Sequence, residues 1–186
     1  MRYPQLRKSF FSHSIKLKFS KSIDSVEIKT RISELAEQIR TDYKDDILTY
    51  LIVLRGAFIF ASDLIREIGL KAEVYFADAK SYGNNTYSSG NVEIHLPDID
   101  YQNRNIIIIE DIVDSGRTMK KMTEELVNKH PKSIKIATLL SKPEARKVNV
   151  IVDYIAFEIP SEFVVGWGLD YAEKGRELKH IYSKVE

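Results

Sequence analysis

The longest regular pattern of apolar positions runs over 25–43, where Ile28, Ile32, Leu35, Ala36, Ile39 and Tyr43 recur at the spacing of a helix with one buried face. Asp24 and Glu27 stand near its start, where the helix dipole favours negative charge. The pattern then changes, because Leu51-Ile52-Val53-Leu54 is apolar without alternation and stops at Gly56. An unbroken run of this kind predicts a strand buried on both faces, as in a parallel sheet. Helical spacing returns in Ala57, Ala61, Leu64, Ile65 and Ile68, and again in Met119, Met122, Leu126 and Val127, which predict the inner face of a helix over 118–128. Further strands are predicted over 73–77, 92–96, 105–109, 134–140, 154–159 and 163–167, with a half-buried one over 15–19, where Ile15, Leu17 and Phe19 alternate with lysines. Strand, crossover helix, strand describes an α/β protein with a mostly parallel twisted sheet flanked by helices. Ligands of such sheets collect beyond the carboxyl ends of the strands, so the turns at Arg55-Gly56 and at 110–118 are expected to open onto one crevice.

Composition narrows the choice of chemistry. The chain has 186 residues, 44% of them hydrophobic, which suits a single domain over 15–186 behind a basic tail at 1–14. Arg2, Arg7, Lys8, Lys16, Lys18 and Lys21 precede the first acid, Asp24, a bias shared with organellar transit peptides. The alternation at 15–19 favours instead a short tail leading into a strand. With 28 Lys and Arg against 27 Asp and Glu, no global field points to nucleic acid or to an anionic membrane. The absence of cysteine excludes disulfides, thiolate zinc sites and a thiol nucleophile, and is compatible with the cytoplasmic location expected here. No apolar run is long enough to span a bilayer, so a soluble protein is expected. The four histidines, His13, His95, His130 and His180, show no metal-ligand spacing. There is no GxxxxGK[ST] sequence, and Gly166-Trp167-Gly168 lacks the third glycine of a dinucleotide fingerprint.

The chemistry concentrates in IIIIEDIVDSGRTM, residues 106–119. Glu110 and Asp111 follow four isoleucines directly and Asp114 lies in the ensuing turn, so three carboxylates gather where a buried strand ends. Carboxylates this close repel one another unless hydroxyls, a cation or a proton compensate them. Ser115, Gly116, Arg117 and Thr118 come next, immediately before a helix, and glycine with the free amides of a helix start forms an anion cradle. One loop thus offers acceptors for hydroxyls and donors for a phosphate, which are the two requirements of a sugar phosphate. Taken alone, the same acids also suit a solvated loop feeding a helix cap.

In its whole context the motif resembles the phosphoribosyl-diphosphate signature of the type I phosphoribosyltransferases: an apolar strand, two acids, two apolar residues, then Asp-Ser/Thr-Gly-Lys/Arg-Thr. Three further blocks are similar to the hypoxanthine-guanine branch of that family. Leu54-Arg55-Gly56-Ala57 looks like its pyrophosphate loop, and Ser81-Tyr82-Gly83 with Ser88-Ser89-Gly90 like its mobile lid, about 80–92. Lys142-Pro143 and the segment from Phe163 to Tyr171 look like its purine-binding pieces. The resemblance implies a small hood formed by the N- and C-terminal segments over the sheet. It also implies transfer of the 5-phosphoribosyl group from phosphoribosyl diphosphate to a 6-oxopurine, with Mg2+ as cofactor, in a homodimer or homotetramer.

Residue by residue, the resemblance implies that Glu110 and Asp111 take the ribose hydroxyls, and that Asp114 through Thr118 hold the 5′-phosphate. Asp114 would also accept the proton at purine N7 as the catalytic base. Lys142 would donate to the 6-oxo group, Phe163 would stack on the ring, and the Val164 backbone would read its edge. Leu54, Arg55, Gly56 and Arg176 would hold pyrophosphate, with a cis Leu54–Arg55 peptide, while Asp170 would help to place the metal, any contact from Glu110 and Asp111 being indirect. Arg55 departs from the lysine of some relatives. Two other readings stand beside this one: a non-catalytic regulator on the same scaffold that binds nucleotide or RNA, and a phosphoacceptor domain with a strand-end aspartate, which leaves the purine segment without a role.

Overall fold

The structure is a computed structural model that describes residues 18–81 and 92–185. Its frame is a six-stranded sheet in the order β4-β3-β2-β5-β6-β7. The strands are β2 (Leu48–Leu54), β3 (Ala72–Ser81), β4 (Val92–His95), β5 (Asn105–Val113), β6 (Ser133–Ser141) and β7 (Tyr154–Glu158). All pairings are parallel except that of β4, which returns antiparallel along the edge of β3.

The continuous apolar runs are explained by cover on both faces. Successive side chains of a strand point to opposite faces. In β5, Ile107 and Ile109 accordingly join the core beneath α1 (Ser25–Tyr43) and α2 (Phe58–Ile68), while Ile106 and Ile108 join a second core beneath α3 (Arg117–Val127). Strand β2 divides in the same way, with Tyr50 and Ile52 on the first side and Leu51 and Val53 on the second. The helical stripe of α1 is buried at all six anticipated positions, and the Asp24 carboxylate caps the helix by accepting from the Val26 amide at 2.9 Å.

A smaller antiparallel sheet, β1-β9-β8, joins the two ends of the chain. It comprises β1 (Lys18–Ile23), β8 (Val164–Val165) and β9 (Ile181–Val185). Three expectations change here. The strand placed at 15–19 is found as β1 from Lys18 onward; Ile15 and Leu17, like the basic tail, lie outside the described residues. The strand expected over 163–167 shrinks to two residues, since Gly166 at φ 108° and Trp167 at φ 51° turn the chain away from extended geometry. Strand β9 was not anticipated at all. In α3, Met119, Met122 and Leu126 are buried as expected, whereas Val127, at the last position of the helix, is 56% exposed. Among the described residues no helix is long and apolar enough to cross a membrane.

Candidate active site

Strands β2 and β5 are parallel neighbours, so their carboxyl ends deliver the Arg55-Gly56 turn and the acidic cluster side by side. The Leu54–Arg55 peptide is cis, as the family resemblance implies. Asp111, two residues beyond Ile109, reaches the Gly56 turn: a Cβ added at Gly56 would sit 1.7 Å from Asp111 Oδ2. A side chain at Gly56 would displace that carboxylate from this position. Asp111 Oδ1 accepts from the Ile112 amide at 2.9 Å, which fixes the other oxygen's direction. Glu110 lies beside it, and burial, followed by the charge of Asp111, pushes its carboxyl well above the usual range. Two carboxylates this close repel when both are ionised, so the pair is suited to hydroxyl donors or a cation.

Beyond Val113 the chain turns through Asp114, Ser115 and Gly116 into α3. Gly116 is left-handed at φ 80°, and an added Cβ there would meet Val150 Cγ1 at 2.9 Å and Arg146 Nη1 at 3.3 Å. The turn therefore sits tightly on the segment that follows β6, where the Lys147 amide also donates to the Ser115 carbonyl at 3.0 Å. Gly116 as N-cap brings no side chain to cap α3, and the Arg117 amide has only a long 3.5 Å contact with Ser115 Oγ, so the amides of this turn suit an anion. Behind them, Arg146 donates through Nη2 to Ser141 Oγ at 3.0 Å, leaves Nη1 buried without a hydrogen-bond partner among the described residues, and is lowered in pKa by burial.

Lys142, at the end of β6, is 8% exposed, yet its ammonium lies 3.5 Å from Asp114 Oδ2. A buried cation and a solvent-facing carboxylate are thus held as adjacent donor and acceptor. From the opposite side come Asp170 and Arg176. The guanidinium of Arg176 donates to the Gly168 carbonyl at 2.8 Å and pairs with Asp170 Oδ1 at 2.7 Å, while Asp170 Oδ2 accepts from the Glu173 amide at 2.7 Å. Glu173 in turn bridges Arg176 at 3.4 Å and Arg55 at 3.3 Å. It went unnoticed in the sequence because it sits in a charged run that also suits a solvated surface. Arg146 gave no sequence signal beyond its place four residues after Lys142.

A cavity of about 320 Å³ opens here, and Lys142, Arg146 and Glu173 are not among its lining residues. Leu54, Arg55, Gly56, Glu110 and Asp111 line one part of it, and Asp114, Ser115, Gly116, Thr118, Asp170 and Arg176 the rest. Arg117 is the first residue of α3 and is not in the lining. Phe163 and Val164 stand apart in the small sheet. Phe163 is 41% exposed and meets Tyr171 edge-on at 5.6 Å, and Val164 pairs with Ser183. Ser81 ends β3 opposite Val92, whereas Tyr82 and the rest of the expected lid up to residue 91 lie outside the described residues. A second hollow of about 490 Å³, between α3 and β6, is remote from the carboxylates, and its Lys135 is already paired with Asp153 at 2.8 Å.

Among the described residues no group of three or more acids or histidines could hold a metal by itself. The carboxylates of the cavity instead fit a cation that keeps most of its ligands from water and substrate oxygens, the habit of magnesium.

The phosphoribosyl transferase domain model matches residues 22–173. The hypoxanthine phosphoribosyltransferase of Escherichia coli strain K12 is 47% identical over 163 residues, 86% of this chain and 91% of that protein. The hypoxanthine-guanine phosphoribosyltransferase of Bacillus subtilis is 45% identical over 161 residues, covering 86% and 89%. A crystal structure of a hypoxanthine-guanine phosphoribosyltransferase from Bacillus anthracis superimposes with a TM-score of 0.84 at 40% identity, covering 91% of this chain and 99% of that one. Sequence, fold and the clustering of the strand-end acids with the anion-binding turn converge: the chain belongs to the phosphoribosyltransferase family, in its hypoxanthine and hypoxanthine-guanine branch.

Proposed function

We infer that this protein is a purine-salvage enzyme that transfers the 5-phosphoribosyl group of phosphoribosyl diphosphate to N9 of hypoxanthine, guanine or both, giving IMP or GMP and pyrophosphate. The observation that carries the inference is the 3.5 Å pairing of Lys142 with Asp114 beside the phosphate turn. A 6-oxopurine presents a carbonyl oxygen at position 6 next to a ring nitrogen at position 7. An ammonium donor beside a carboxylate acceptor matches that edge when N7 carries the proton. Adenine, which has an amine at position 6, would leave Lys142 facing another donor, a mismatch that costs far more than a missing methyl group.

In the reaction, the N9 lone pair forms a bond to C1′ as the C1′–O bond to pyrophosphate breaks, and the electron pair leaves with the pyrophosphate. The proton at N7 passes to Asp114. Glu110 and Asp111 accept from the ribose hydroxyls, which relieves the crowding of their charges. The amides and hydroxyls from Asp114 to Thr118 hold the 5′-phosphate, with Arg117 contributing its backbone. Arg176 and the turn at Leu54, Arg55 and Gly56 receive the departing pyrophosphate, the arginines exchanging Glu173 for phosphate oxygens. Phe163 stacks on the purine and the Val164 backbone reads its edge. Asp170 and substrate oxygens would hold magnesium, with Glu110 and Asp111 reaching it only indirectly, and the ion would supply charge neutralisation at the pyrophosphate. Residues 15–186 act as one domain in the cytoplasm, and the chain works as a homodimer or homotetramer.

Purified protein given phosphoribosyl diphosphate, magnesium and hypoxanthine should form IMP, monitored by absorbance. Asp114→Asn should lower kcat by about 100-fold or more, the range for loss of a general base, while weakening phosphoribosyl diphosphate binding less. No IMP or GMP under any metal condition would leave the regulatory reading, which the comparisons do not favour.

A further inference from the structure

Phe163 owes its position to residues at both ends of the chain. In the small sheet, Phe19 of β1 pairs with Lys184 of β9, and the Lys184 amide donates at 2.8 Å to the carbonyl of Phe163, just before β8. Phe19 and Phe163 therefore occupy one transverse row of the sheet, separated by a single intervening strand. Their rings lean together over that strand to a centroid separation of 6.3 Å at 53°, while the Tyr171 ring meets Phe163 perpendicularly at 5.6 Å and 90°. Both arrangements fall in the favourable range for aromatic pairs. Phe163 nonetheless stays 41% exposed, so it is braced on two sides and open elsewhere. A braced ring has little rotamer freedom left to lose when a flat ligand lands on it.

We propose that Phe19 is a positioning residue for the purine site: through its ring contact it holds Phe163 in the orientation that stacks on the base, so that the N-terminal strand sets affinity for the purine without touching it. The proposal rests on the reading that Phe163 is the stacking residue, and it gives β1 a role in substrate selection as well as in closing the small sheet. It assigns no contact with phosphoribosyl diphosphate to Phe19, and none is required.

Steady-state kinetics of the full chain separate the two ideas. Phe19→Ala and Phe19→Leu should each raise KM for hypoxanthine by roughly 2- to 10-fold, the range an aromatic pair supplies, with kcat and KM for phosphoribosyl diphosphate unmoved. Phe19→Leu keeps apolar bulk, so it tests the ring if the alanine variant folds poorly, and Phe19→Tyr should restore the purine KM. In a Phe163→Ala background, Phe19→Leu should add nothing, because the contact through which it acts is gone. If Phe163→Ala raises the purine KM but Phe19→Leu does not, the positioning role is overturned and the stacking reading survives. If Phe163→Ala leaves the purine KM unchanged, both are overturned. A Phe19 variant that raises both KM values alike would reduce Phe19 to general packing.

Discussion

The large sheet and the small one solve different problems. At the carboxyl ends of β2, β5 and β6, long parallel strands buried on both faces carry Gly56, Glu110, Asp111 and Lys142 to one place, and each is aimed by the strand beneath it. The small sheet has only short strands from remote parts of the chain, and it aims Phe163 by contacts between side chains. A rigid, deeply packed element suits the charged end of a substrate, where distances of a few tenths of an ångström decide affinity. An aromatic platform tolerates a looser support, because stacking is broad in geometry.

The two regions meet where Gly168 packs on Gly56. A Cβ at Gly168, which lies at φ 104°, would come within 2.1 Å of the Gly56 carbonyl. Gly168→Ala should therefore produce the largest effect, combining overpacking with a conformation that alanine avoids, for a loss of about 3 kcal/mol or more and a fall of about 10 °C in the unfolding midpoint. It should also weaken both substrates, since Gly56 shapes the Asp111 side and the Gly168 carbonyl anchors Arg176. Calorimetry and paired KM measurements check this; a variant of unchanged stability would mean that the seam does not couple the regions.

Lys142→Gln tests the division of labour more finely. Removing a charged hydrogen bond worth about 1.5–3 kcal/mol should lower kcat/KM for hypoxanthine by roughly 10- to 100-fold and relax discrimination against adenine. KM for phosphoribosyl diphosphate should hardly change. If it rises in proportion, the phosphate turn and the base-reading edge form one unit through the contact with Asp114, and the comparison drawn above fails.

The smallest effect concerns Glu110. Its folded pKa is raised above that of the unfolded chain, so between the two values the folded state binds more protons and stability falls as pH increases. Glu110→Gln should remove that decline. The variant should melt about 2–4 °C above the parent at pH 8, with the gain shrinking as pH drops toward 4.5, while phosphoribosyl diphosphate binds more weakly. Equal melting profiles at all pH values would show that the acidic pair carries no strain in the free protein.

The large sheet was legible because its evidence is local. Unbroken apolar runs at 51–54 and 106–109 required cover on both faces, and the acids and Gly116 stand directly after them. The small sheet was harder to see. Strand β9, with Ile181 and Ser183 buried but Lys184 and Val185 exposed, has too short and mixed a pattern to separate from a charged tail, and the apolar run over 163–167 predicts a longer strand than the two residues of β8. Glu173 and Arg146 were hard to single out because Glu173 sits in a charged run and the groups that give them meaning, Arg55 and the turn at Gly116, come near only after folding.

Sequence alone determined the parallel frame, the acidic strand end, the glycine turn that follows it and the family resemblance, since each is written in residues adjacent along the chain. Tertiary structure decided the 3.5 Å meeting of Lys142 with Asp114, the fit of Asp111 over Gly56, and the bracing of Phe163 by Phe19. These contacts join residues as many as 144 positions apart, counted from Phe19 to Phe163, and periodicity carries no information about which distant strands become neighbours.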